Sequence, residues 1–154
     1  MNDIVGIGRI ADKLVAENKK GFLPGRQAVY ERLTDPVEVH HLPEWPGDGP
    51  MTPAVFLSLG EREDEAWRRA LPDFHQEDVS ATVNGSAIEL KRTLCGTLED
   101  GRAIRIPLRN LYYFNADRIE RIVPHLDLAV MTSIKEVLLV GGFDAATELE
   151  AGSD

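Results

Sequence analysis

The sequence predicts an α+β domain in which N-terminal helices pack on a curved, mostly antiparallel β-sheet that encloses a pocket. Apolar residues recur at helical spacing in the first part of the chain, and the later part alternates apolar and polar with period two. The alternating segments are joined by short turn signals at Asn84-Gly85, Glu99-Asp100-Gly101-Arg102 and Asn115-Ala116-Asp117. Helices followed by consecutive hairpins give an α+β order, with one sheet face covered by the helices. Long strands that twist around such a layer can enclose a cavity between the two.

Ile4, Ile7, Ala11, Leu14 and Val15 place a first helix, stopped at Lys19-Lys20-Gly21. A second helix is expected from about Gly25 to Leu33, broken and turned by Asp35-Pro36. Val37 to Leu42 alternates as a strand, and Pro43 to Pro50 is a Pro/Gly loop. Thr52-Pro53 is a cap residue followed by proline, the start of a helix that reaches Leu71 with an interruption allowed at Gly60. Four strands follow as an antiparallel meander: Val79–Val83, Ala87–Leu98, Ala103–Phe114 and Arg118–Leu126. Leu128 to Leu139 closes the chain as a helix ended by Gly141-Gly142.

The 154 residues suit one domain over 1–143, followed by an acidic tail over 144–154 expected to be disordered. A net charge of −9 repels phosphate backbones and argues against nucleic acid as a partner. No apolar run reaches the roughly 20 residues that span a bilayer, and the first twenty residues lack a signal-peptide pattern. The single cysteine, Cys95, cannot form an internal disulfide, so a cytoplasmic protein is expected.

Period-two alternation assigns the inward faces. Ile88, Leu90, Arg92 and Leu94 share one, so Arg92 is the charge on an apolar stripe. Ile106, Leu108, Asn110, Tyr112 and Phe114 share the next. On the last strand Ile119, Arg121, Val123, His125 and Asp127 are in phase, and on the first strand His41 falls with Val37 and Val39. The expected pocket set is therefore His41, Arg92, Asn110, Tyr112, His125 and Asp127, with Trp45, Phe56, Leu90 and Ile106 as apolar wall. Asp127 would pair with Arg92 and orient His125, a constellation able to move protons at a carbonyl compound. The same residues also admit plainer readings: Arg92 and Asp127 as a structural ion pair, His125 as a satisfied core histidine, and His41 on the outer face after a one-residue register slip.

Other chemistries find no support. Gly6-Ile7-Gly8 opens no βαβ unit, and no nucleophile elbow is present. His40 and His41 point to opposite faces of a strand and cannot share a zinc ion, so no metal is expected. Cys95 lies opposite Arg92 without an activating base.

Four segments carry a family resemblance. Leu71-Pro72-Asp73-Phe74 with Glu77-Asp78-Val79, Lys91-Arg92-Thr93-Leu94-Cys95-Gly96-Thr97, Ile119 to Leu128, and Asp35 to His41 resemble, in order and spacing, the SnoaL-like polyketide cyclases of the nuclear transport factor 2-like superfamily. The resemblance covers about residues 4 to 135. It implies a cone-shaped fold, a homodimer and a pocket that works without a cofactor. It also implies that Asp127 matches the acid/base aspartate of the cyclases. In the related limonene epoxide hydrolases an arginine lies between two aspartates; Arg92 and Asp127 match two of the three, but Leu94 stands where the other aspartate would be. The expected function is acid/base cyclisation, isomerisation or dehydration of a hydrophobic, polyketide-like or polycyclic carbonyl substrate. Asp127 would act with His125 and Arg92, and Tyr112 or His41 would serve as donor. The alternatives are a non-catalytic small-molecule-binding or interaction domain on the same fold, or an epoxide hydrolase-like hydrolase.

Overall fold

In the computed structural model, which describes residues 4–40 and 49–145 (4 and 5 by backbone alone), the first helix, α1, runs Ile4–Lys20. Ile7, Ile10, Ala11 and Leu14 form its buried stripe, the i, i+3, i+4, i+7 spacing of a helix packed on one side. α2 spans Phe22–Tyr30, three residues ahead of the expected start, because Phe22 is buried and belongs to its packed face. The chain then enters β1 (Leu33–Val39) at once. Asp35-Pro36 has a cis peptide bond and stays within the strand instead of turning the chain.

The expected loop before the third helix ends in a short strand, β2 (Gly49–Met51), which pairs antiparallel with β1 at the sheet edge. Pro50 is tolerated there because an edge strand leaves half of its backbone groups outside the ladder. α3 (Pro53–Ala70) begins as anticipated: Thr52 Oγ1 accepts from the Val55 amide at 3.2 Å, with proline at the first helical position. It runs unbroken through Gly60, which is buried against Arg26 of α2; a Cβ there would lie 2.5 Å from Arg26 Cγ.

The meander is β3 (His75–Asn84), β4 (Ala87–Thr97), β5 (Ala103–Asn115) and β6 (Arg118–Pro124). β3 starts four residues earlier than the alternation suggested, and its register shifts between Glu77 and Ser80, where Asp78 has φ 54°. The six strands are ordered β2-β1-β6-β5-β4-β3, and β1 runs parallel to β6. α4 (Leu128–Val140) follows, and Phe143 and Ala145 after it are both buried, so the packed body extends two residues into the segment read as a tail; the rest of that segment lies outside the described residues. α1 packs on β3 and β4, α3 on β1, and α4 on α3 and β5. One hydrophobic core joins all four helices to the sheet.

Candidate functional site

The helical layer and the sheet part around a cavity of about 120 Å³. α2 contributes Phe22, Gly25, Arg26 and Val29; α3 contributes Phe56, Leu59, Glu63 and Trp67. The sheet side includes Arg92 and Leu94 of β4, Leu108, Asn110 and Tyr112 of β5, and Ile122 and Pro124 of β6. The wall is mostly apolar, with a few convergent polar groups, the usual make-up of a ligand pocket.

Arg92 is buried at 9% exposure. Its Nη1 donates to Asn18 Oδ1 at 2.9 Å, and its Nε–H is buried without a hydrogen-bond partner among the described residues. Asn18 is itself buried, anchored by its Nδ2 donating to Leu14 O at 2.7 Å. Gly25 makes room for this bridge: a Cβ there would meet Asn18 Oδ1 at 2.3 Å. No carboxylate among the described residues lies within 4 Å of the guanidinium.

Glu63 enters the cavity from α3. Burial raises its pKa above the ordinary glutamate value of 4.5, while the positive charges of Arg26, Arg92 and Arg62 oppose that rise. Arg26 Nη1 lies 3.4 Å from Glu63 Oε2. The same guanidinium donates through Nε and Nη2 to Phe56 O and stacks 3.9 Å above the Phe56 ring, so its position is fixed on three sides. On the sheet side Asn110 Nδ2 donates to Tyr112 Oη at 3.1 Å. The phenol thus accepts from the amide and keeps its own proton to donate.

Of the residues anticipated from the sequence, Arg92, Asn110, Tyr112 and Phe56 line the cavity. Leu90 and Ile106 have the expected inward orientation but are packed in the core and do not border the cavity. His41 and Trp45 lie outside the described residues. Asp127 and His125 require correction. β6 carries one extra residue opposite β5: Tyr113 pairs with Arg121 while the next residue, Phe114, pairs with Ile119. This bulge at Glu120 reverses the alternation beyond it. Ile122 and Pro124 therefore face the cavity and His125 faces away, its Nδ1 3.4 Å from Arg109 Nη2 on the outer side of the sheet. Asp127 is exposed and caps α4, its Oδ1 accepting from the Val130 amide at 2.8 Å. Arg92 has Asn18 where Asp127 was expected.

Arg26 and Glu63 were missed, although a signal for both exists. Phe56, Leu59, Gly60, Glu63 and Trp67 lie at helical spacing on one stripe of α3, so Glu63 is a carboxyl on an apolar face, as Arg92 is a cation on one. Arg26 stands likewise between Phe22 and Val29.

No protein-family model matches the chain, and no curated protein matches its sequence. Solved structures do. A nuclear transport factor 2-like protein of unknown function from Cytophaga hutchinsonii aligns with a TM-score of 0.56 at 14% identity, over 79% of this chain and 96% of its own. A protein from Pseudomonas putida assigned as a polyketide cyclase gives 0.54 at 20% identity, over 79% and 94%. A SnoaL-like polyketide cyclase, so assigned, from Jannaschia gives 0.51 at 17% identity, over 85% and 90%. The described helices packed on the six-stranded sheet therefore have the nuclear transport factor 2-like fold.

Proposed function

We propose that the chain is a cytoplasmic, cofactor-independent acid/base enzyme that moves a proton next to the carbonyl of a small apolar substrate, in a cyclisation, isomerisation or dehydration. The observation that carries this reading is Glu63, a carboxyl with raised pKa inside a mostly apolar cavity. A carboxyl whose pKa is raised is a stronger proton acceptor when ionised than a surface glutamate, which suits it to taking and returning a proton. Glu63 takes the role that the sequence suggested for Asp127. Tyr112, oriented by Asn110, donates to the enolate oxygen that develops as the proton leaves, and burial strengthens that bond. Arg26 positions the carboxyl and limits how far burial can raise its pKa. Hydrolysis in the epoxide hydrolase manner finds no second carboxylate on the described wall.

Solvent-deuterium exchange at the α-carbon of a panel of small ketones and keto acids, followed by NMR, tests the reading. The wild type exchanges at least one of them, and Glu63→Gln slows that exchange by about 10²–10⁴-fold. A wild type that binds panel members without exchanging any is a binding domain instead. We propose further that the chain is a homodimer, as the family resemblance implies; sedimentation at twice the monomer mass is expected, and a monomer at micromolar concentration overturns it.

A further inference from the structure

The cavity holds an electrostatic imbalance. Two guanidiniums, Arg26 and Arg92, border it with one carboxyl, Glu63, among the described residues. Arg26 faces that carboxyl directly, at 3.4 Å. Arg92 has no carboxylate within 4 Å among the described residues: its direct partners are the neutral amide of Asn18 and the ring of Phe22, 5.6 Å away, and Glu63 acts on it only from a longer range. A guanidinium cannot escape by losing its proton at working pH. A buried cation with no carboxylate in direct contact is costly unless something completes it. The positive cavity also stands inside a chain of net charge −9, so general surface charge does not account for it.

Size and shape add a second constraint. A cavity of about 120 Å³ is comparable with the ~150 Å³ apolar cavity that holds benzene, so its described part suits a single ring, with room for a polar group only toward the open side. Its apolar wall is supplied by Val39, Leu59, Trp67, Leu108 and Ile122, with Arg92 as the cation left to pair.

We infer that the cavity's ligand is a compact monocarboxylate, a single ring or comparable carbon skeleton whose carboxylate sits on Arg92 and completes its buried charge. This rests on the reading of the cavity as the substrate site and narrows its substrate class. Asn18 engages Nη1 and the Nε–H has no partner among the described residues, so the guanidinium keeps donor capacity for a carboxylate. Asn18, wedged against Gly25, holds the guanidinium in place on the cavity wall. The carboxylate is bound rather than transformed, and the proton chemistry remains with Glu63.

The test is titration calorimetry with benzoate as the anionic probe and benzamide as its neutral counterpart of nearly the same shape. Wild type binds benzoate at least about tenfold more tightly than benzamide, and Arg92→Met loses that preference. Arg92→Lys, which keeps the charge without the guanidinium, keeps part of it; it also guards against a Met variant that fails to fold, which thermal unfolding reveals. Equal binding of the two probes by wild type, no benzoate binding at millimolar concentration, or a folded Arg92→Met that keeps the preference overturns the inference. Exchange of neutral ketones without a carboxylate preference sinks this inference alone. A carboxylate preference without exchange of any compound sinks the enzyme reading alone.

Discussion

Asp127 shows how one residue can satisfy a sequence pattern for a reason other than the one inferred. An aspartate following an apolar strand looks like a pocket acid when the strand is assumed regular. Here its carboxylate accepts the Val130 amide and starts α4, a task for which aspartate, asparagine and serine are about equally suited. Asp127→Ala should therefore lower stability by about 1 kcal/mol, and Asp127→Asn should be close to neutral. Both variants should keep the wild-type α-carbon exchange rate, because the side chain is exposed and borders no part of the cavity. Denaturant midpoints and the NMR exchange assay report the two halves of this expectation. Loss of exchange in Asp127→Asn with stability intact would move the chemistry to the start of α4. Arg92 is the converse case: its position on an apolar stripe was legible from alternation alone, and it is buried on the cavity wall.

At the scale of elements, legibility followed regularity. β4 and β5 keep strict alternation through eleven consecutive paired positions, so every inward residue assigned to them points inward. α3 was legible at both ends because Thr52-Pro53 and Pro72 are strong local signals. β6 failed at one residue. The bulge at Glu120 has no signature in composition, since Arg118-Ile119-Glu120-Arg121-Ile122-Val123 alternates acceptably in either phase. The register was decided by the partner strand, which brings Ile122 opposite Tyr112 and Pro124 opposite Asn110. β2 was illegible for a related reason: three residues including a proline and a glycine have no strand propensity, and only pairing with β1 makes them one. Glu63 and Arg26 were legible in principle, because each interrupts an apolar stripe whose helical period is plain.

For the whole molecule, the cavity carboxyl ties stability to pH in a direction opposite to that of Asp73, Glu77 and Asp100. Asp73 is held below the ordinary range chiefly by the Thr97 amide and hydroxyl, and Asp100 by the Arg102 amide and side chain. Groups of that kind stabilise the fold above their unfolded pKa and lose the contribution as pH falls. Glu63 is shifted the other way. Below pH 4.5 it is protonated in both folded and unfolded chains and makes no difference. As pH rises past that value the unfolded chain releases the proton while the folded chain retains it, so stability falls until the folded carboxyl ionises as well. Arg26, Arg92 and Arg62 set where that fall ends, because their charges favour the ionised form. Glu63→Gln removes this dependence and leaves the other acids in place. Urea unfolding of the pair across pH should therefore show the Gln variant gaining on the wild type as pH rises from 4 to 8. A variant that instead loses ground with rising pH would mean that Glu63 is ionised in the fold and held by Arg26 as a stabilising ion pair. It would then be a positioning partner for the guanidiniums, and the proton chemistry would need another group on the cavity wall.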